Sequence, residues 1–268
     1  MRKESVKSFN GCMNNIWVKI GNCTREPGSA VLCIVTGNSG SVPGKTGAKM
    51  IVYGDGRIEG TVGGGGLEKR AIGDALDCIR ERMPRAITYH LQKDLGMTCG
   101  GTVTIYMEPV SKPPRLYIFG AGHIGRILAR YASDLDFDTF VVDWRTDLPA
   151  TDRNSAYQMI CKPYLDAVNE ISFDRDCYLV IVTPNHEMDE EVLAAVGKKD
   201  VAYIGLIGSK RKIEKLRSEF LEKNTLTKAE IDRVDMPIGI KFNAITPAEI
   251  AVSILAKLID VKNNRAAG

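Results

Sequence analysis

The chain has 268 residues, 44% of them hydrophobic and 26% charged, with 36 Lys and Arg against 33 Asp and Glu. A chain of this length buries a sizeable core without disulfide or metal staples. Its net charge of +3 excludes a strongly basic nucleic-acid scaffold and an acidic tail protein. The N-terminus, MRKESVKSFNGCMNN, has charges but no apolar stretch behind them and does not read as a secretory signal. No run of about 18 apolar residues is present, so no membrane span is expected.

The elements follow in chain order. A helix is predicted over about 11–22, then a strand in AVLCIVTG (30–37) and a long loop, NSGSVPGKTG. AKMIVYGDGRIEGTV reads as a hairpin, because Asp55-Gly56 is a tight-turn signal between two strand runs. Four glycines (63–66) lead into the amphipathic helix LEKRAIGDALDCIRER. AITYHL and GTVTIYMEP are two more strands, so this part is α+β with a mixed or antiparallel sheet. A boundary falls at SKPP (111–114), where two prolines stiffen an extended connector. The predicted organisation is a smaller α+β domain over 1–110, a linker over 111–114 and a second domain over 115–268.

Beyond the linker, strands and helices alternate. RLYIF (115–119) is a buried parallel strand by pattern, followed by GAGHIG and the helix IGRILARYA. Further strands are DTFVVD (138–143), AYQMI (156–160), CYLVIVT (177–183) and VAYIGLIG (201–208). Helices are expected through EEVLAAV and SKRKIEKLRSEFLEK. The last helix opens on a capping box, with Thr246 as N-cap, Pro247 in the first turn and Glu249 at the third helical position. Such alternation implies a doubly wound parallel sheet of the Rossmann type.

Glycine is the unusual residue, at 26, and most of it clusters at predicted turns. Gly120, Gly122 and Gly125 form a GxGxxG with a strand before it and a helix after it, and Asp143 ends the next strand 18 residues beyond Gly125. Glycines at this spacing allow a tight turn, close approach of a pyrophosphate and close helix–sheet packing, and the acid can meet a ribose hydroxyl. The alternative is a scaffold that keeps the glycines for packing alone. His123, at the helix start, faces either a phosphate or solvent. Arg145, two residues after Asp143, either meets a phosphate or is a solvated loop arginine, the reading favoured by its position. Gly63, Gly64 and Gly65 precede a helix and can form an anion-binding nest. Gly44-Lys45-Thr46 is no P-loop, because Ser39 stands where that motif needs glycine.

Loops after later strands of such a sheet also border the ligand crevice. These are Thr183-Pro184-Asn185-His186 with Asp189, and Gly208-Ser209 with Lys210 and Arg211. His186 and Asp189 form either an oriented acid/base pair or part of a helix cap. The seven cysteines have no CxxC spacing, and the three histidines are isolated, which argues against a zinc site and a disulfide framework. Cys33 and Cys177 sit in apolar runs as small core residues. Cys99, in MTCGG, is either a reactive or metal-ligating thiol on a glycine-flanked loop or a buried residue at a strand start.

Taken in order, GSVPGKTGAKM, GTVGGGGLE, MTCGG, YIFGAGHIGRILA, FVVDWR, YIGLIGSKRKI and PIGI…TPAEIAVSILAKLI resemble the XdhC/CoxI family of accessory proteins for molybdenum hydroxylases such as xanthine dehydrogenase. The resemblance spans about residues 12–260. It implies an XdhC/CoxI domain followed by a Rossmann domain, and a cytoplasmic maturation factor. Such a factor binds molybdenum cofactor as cargo, assists its sulfuration and delivers it to the apo-hydroxylase. A cysteine desulfurase as a further partner and self-association into a homodimer are separate expectations, and no interface is readable from the sequence. Cys99 is then a candidate contact to the molybdenum. Two positions depart from the family pattern: Gly66 stands where GGGCLE has cysteine, and Pro184-Asn185 replaces an Arg-Gly pair before His186. No complete catalytic constellation is legible beyond the candidates Cys99 and His186, which favours a cofactor-handling role over a catalyst. An NAD(P)-dependent oxidoreductase using the Rossmann domain is the alternative.

Overall fold

Strict alternation marks the last strand of the first sheet. In Thr102–Val110 every second residue from Val103 to Met107 is buried, and the residues between face outward, the period of a half-buried strand. The computed structural model describes residues 16–23, 30–96, 100–110, 112–145 and 157–266. Cys12, Cys99, residues 11–15 of the first predicted helix and Ala156 of the third predicted parallel strand lie outside them. The described residues divide into two compact units, with the division between Lys112 and Pro113.

The first unit contains α1 (Ile16–Cys23), β1 (Ala30–Ser39), β2 (Lys49–Tyr53), β3 (Ile58–Gly60), α2 (Gly65–Glu81), β4 (Arg85–His90), α3 (Leu91–Leu95) and β5 (Thr102–Val110). The sheet order is β3-β2-β1-β5-β4, antiparallel throughout. Leu67, Ala71, Ala75 and Cys78 form the inner stripe of α2 and close over Val31, Cys33, Met50, Val103 and Ile105. Ile16, Ile20 and Cys23 of α1 cover Ala30 and Ile51, which point to the other face. The strand predicted in AITYHL ends at His90, and Leu91 starts a short helix that the sequence reading lacks.

The second unit contains β6 (Arg115–Phe119), α4 (His123–Ala132), β7 (Asp138–Val142), β8 (Gln158–Ile160), α5 (Tyr164–Glu170), β9 (Cys177–Ile181), α6 (His186–Val196), β10 (Tyr203–Leu206), α7 (Lys210–Glu222), α8 (Lys228–Asp232) and α9 (Pro247–Ala266). Its sheet is parallel, in the order β10-β9-β6-β7-β8. Strand β6 shows why its sequence is apolar without alternation. Leu116 and Ile118 pack under α4 and α9, while Tyr117 and Phe119 pack with residues of α5, α6 and α7. Helices on both faces make a doubly wound Rossmann-like sheet. Each fully buried large apolar side chain of β6 contributes roughly 1.5–3 kcal/mol. The chain grows the sheet in one direction through β7 and β8, then returns to the other side of β6 with β9. The switch point therefore lies at the carboxyl ends of β6 and β9, the position where open α/β sheets bind ligands. Among the described residues no helix is long and apolar enough to cross a membrane.

Candidate functional site

The turn after β6 is the centre of the site. Gly120 has φ +116°, and a Cβ there would lie 2.3 Å from the Val182 carbonyl oxygen of the β9 segment. A Cβ on Gly125 would lie 1.9 Å from the Gly120 carbonyl oxygen. Packing within the protein therefore demands both glycines. Gly122 is different. Its φ of −68° suits any residue, and a Cβ built on it meets nothing within 4 Å. The protein's own packing leaves this glycine unexplained, whereas close approach of a ligand backbone or phosphate explains it. Gly122 is the N-cap of α4 and contributes no capping side chain, and His123 opens the helix on its exposed side. This is the geometry of an anion site at a helix N-terminus.

Asp143 stands at the end of β7, as expected, but its carboxylate points inward and is fully buried. Oδ2 accepts the Ala121 N–H at 2.8 Å and the Arg145 Nη2 at 2.8 Å. Oδ1 accepts the Arg145 N–H at 3.0 Å and Nε at 2.9 Å. The Tyr164 hydroxyl donates to Oδ2 at 3.3 Å. Burial opposes the charge, but the Arg145 side chain and the Ala121 and Arg145 N–H groups outweigh it and hold the carboxyl below the usual aspartate range. In this arrangement Asp143 braces the glycine turn and presents no oxygen to a ribose, which corrects the expected sugar contact. Arg145 is likewise corrected: it forms a half-buried bidentate ion pair rather than a solvated loop side chain.

The loops after β9 and β10 form the neighbouring part. Asn185 caps α6 by accepting the Met188 N–H at 2.9 Å. Asp189 does not orient His186. Its Oδ1 accepts the Thr183 N–H at 3.0 Å and hydroxyl at 2.7 Å, and its Oδ2 accepts Lys212 Nζ at 2.8 Å. The acid/base pair is thus replaced by a buried ion pair, and His186 stands exposed at the start of α6. Ser209 caps α7 through the Lys212 N–H at 3.3 Å. A cavity of about 320 Å³ opens here, lined by Thr183, Asn185, His186, Gly208, Ser209 and Lys212 among others. The sequence motif points to Lys210 and Arg211 and misses Lys212. Helical spacing carries the signal: Lys212 precedes the buried Leu216 and Phe220 by one and two helical steps of four, so it shares their inward side.

In the first unit three glycine segments converge. A Cβ on Gly44 would lie 2.2 Å from the Val62 carbonyl oxygen, and one on Gly101 would lie 2.4 Å from that of Ser39. Gly63, Gly64 and Gly65 have φ of +137°, +78° and +61°. The nest expected at Gly63 and Gly64 is already engaged from within. Glu68 Oε1 accepts the Gly64 N–H at 2.9 Å and the Val62 N–H at 3.3 Å, and it also accepts the Thr61 hydroxyl. The Gly63 N–H donates to Thr61 Oγ1 at 3.1 Å. Gly65 and Gly66, in the first turn of α2, remain exposed. Cys99 lies outside the described residues. The adjoining Gly100 and Gly101 border a cavity of about 330 Å³ with His90, Gln92, Lys93 and Thr102. Cys33 and Cys177 are buried, as the apolar runs around them require, and burial pushes the Cys33 thiol up to about 12.

Known proteins match both units. The family profile described as the XdhC Rossmann domain matches residues 116–258, and the one described as the XdhC and CoxI family matches residues 23–90. The Escherichia coli K12 protein YqeB is 31% identical over 260 residues, covering 95% of this chain and 47% of its own length. A Bacillus subtilis protein described as a probable xanthine dehydrogenase subunit is 29% identical over 165 residues, covering 60% of this chain and 47% of its own. The chain thus spans about half the length of these curated relatives. A crystal structure of a xanthine dehydrogenase from Bacillus halodurans superposes with a TM-score of 0.51 at 22% identity, covering 92% of this chain and 96% of that one. At that identity the likeness is one of fold. With its antiparallel N-terminal unit, its glycine turn at the switch point of a parallel sheet and profile matches over both, the chain belongs to the XdhC family.

Proposed function

We propose that this protein is an accessory factor in the maturation of a molybdenum hydroxylase such as xanthine dehydrogenase. In this reading it holds molybdenum cofactor as cargo, assists its sulfuration and passes it to the apo-enzyme. Gly122 carries the reading. It is a glycine required neither by its backbone angles nor by its neighbours, placed at the N-terminus of α4 where a phosphate is welcome. Molybdenum cofactor bears a phosphate, or a diphosphate in its dinucleotide form. The Gly120–His123 turn would hold that group, and Asp143 would keep the turn in shape. Cys99 supplies a soft ligand of the kind molybdenum accepts. Family membership and the named Bacillus subtilis relative support the link to xanthine dehydrogenase. The reading assigns the protein to the cytoplasm, with the apo-hydroxylase and a cysteine desulfurase as partners and self-association into a homodimer.

The test is to purify the chain from cells that make molybdenum cofactor and to measure the pterin fluorescence it releases. The expected outcome is pterin on the wild type, less on Cys99→Ala and none on Gly122→Val. Wild type carrying no pterin above background overturns the reading.

NAD(P) is the second ligand that the strand–turn–helix unit suits, as cofactor of an oxidoreductase. Gly122 favours it equally, whereas the inward carboxylate of Asp143 removes its usual ribose partner. Calorimetric titration with NAD and NADP separates the two readings, since millimolar concentrations without heat reject the oxidoreductase.

A further inference from the structure

Lys212 is a nearly buried ammonium, with a side chain 13% exposed against 3% for its partner Asp189. An ammonium has three donors. One reaches Asp189 Oδ2, and the other two meet no protein acceptor among the described residues. The other oxygen of Asp189 serves both the N–H and the hydroxyl of Thr183. An anion entering beside this partly exposed ammonium would meet donors that Asp189 leaves free.

These donors border the cavity of about 320 Å³ between the loops after β9 and β10. Helices α6 and α7, of 11 and 13 residues, both begin at its rim, and each N-terminus adds partial positive charge. The Ser209 hydroxyl accepts the Lys212 N–H and keeps its own hydrogen to donate. His186 stands at the mouth. Among the described residues lining the cavity the one carboxylate, Asp189, is already neutralised by Lys212.

We propose that this cavity is an oxyanion subsite for a phosphate-class group, held by Lys212 and Ser209 with His186 at its mouth. It is distinct from the glycine turn. The cavity lies between the loops after β9 and β10, one to two strand spacings from β6, so at about 4.8 Å per spacing the two subsites stand roughly 5–10 Å from each other. A ligand filling both carries two anionic groups at about that separation. The link between the subsites rests on the proposed function above, whereas the subsite after β10 does not.

The experiment uses the full chain carrying Gly122→Val, which obstructs the glycine turn, and titrates it calorimetrically with inorganic pyrophosphate. Binding of one pyrophosphate is expected. Adding Asp189→Asn with Lys212→Met removes the ion pair as a unit and orphans neither charge. This change should weaken binding by about tenfold or more, equivalent to 1.4 kcal/mol. Ser209→Gly keeps an acceptable cap and should weaken binding more modestly. It serves as the second variant should the ion-pair change disturb the fold by circular dichroism. No heat from Gly122→Val at millimolar pyrophosphate overturns the subsite, as does unchanged affinity in both later variants. Pterin retention by the wild type, lost in Gly122→Val, reports on the glycine turn alone, so each proposal can fail without the other.

Discussion

The carboxylate of Asp143 accepts the backbone N–H of Ala121 at 2.8 Å, tying the end of β7 to the middle of the glycine turn after β6. The same oxygen is held by Arg145, so the turn is fixed through a charge-assisted chain from loop to strand end. Asp143 serves as a positioning residue in this arrangement.

Replacing Asp143 with alanine should therefore destabilise the protein by about 3–5 kcal/mol, the cost of breaking a buried ion pair from one side. The pH dependence has a definite sign. The folded-state carboxyl lies below its ordinary value of 3.8, so its contribution is fully present above that value and is lost as pH falls through the folded one. The melting-temperature gap between wild type and Asp143→Asn should be wide at about pH 7 and should narrow as pH falls below 3.8. A gap that stays constant across that range contradicts the brace.

Gly122 and Gly125 should respond in opposite ways. Gly125→Ala places a methyl 1.9 Å from the Gly120 carbonyl oxygen, and the backbone must move, at a cost of several kcal/mol or loss of folded protein. Gly122→Ala meets open space and should cost no more than about 1 kcal/mol, the loss of a glycine N-cap. Its effect should appear instead as weaker retention of a phosphate-bearing ligand. Equal midpoints for both variants contradict the packing assigned to Gly125.

Position 66 separates fold from chemistry. Gly66 is exposed in the first turn of α2, so Gly66→Cys should fold at least as well as wild type, with a gain of about 0.3 kcal/mol from helix propensity. A thiol at a helix N-terminus ionises more readily. Its reaction with a disulfide reagent at neutral pH should outpace that of the exposed Cys161. By contrast, Glu68→Ala removes the acceptor for the Val62 and Gly64 N–H groups and should cost about 1–2 kcal/mol in a urea titration.

Thr246 tests the last helix. Its hydroxyl accepts the Glu249 N–H at 3.3 Å, while Glu249 accepts the Thr246 N–H at 2.8 Å. Thr246→Ala should cost about 1 kcal/mol, measured by denaturant midpoint.

Legibility in the sequence follows the range of the interactions. The capping box at Thr246, the hairpin around Asp55-Gly56 and the unit formed by Gly120, Gly122 and Gly125 are local patterns, and each is readable from neighbours a few residues apart. The pairing of β1 with β5 joins Ala30 to Val110, and no local signal states it. The same holds for the site. His186 and Asp189 look paired at a spacing of three, but Asp189 pairs with Lys212, 23 residues further on, because its carboxylate is buried while His186 stands at the surface. Glu68 is hidden for a similar reason: a carboxylate four residues into a glycine-led helix can fold back onto the turn that precedes it.

The strand order of the first sheet also sets a timetable for synthesis. Its central strand, β1, is paired on one flank by β5, and among the described residues every hydrogen-bonded strand of that sheet lies at or before Val110. The emerging chain must therefore hold Ala30–Ser39 half-paired until Val110 leaves the ribosome, and from then on the sheet needs no further strand to close. Domains complete in this order as they are translated. The prolines at 113 and 114 mark the point where a finished antiparallel sheet gives way to a parallel one that has yet to begin.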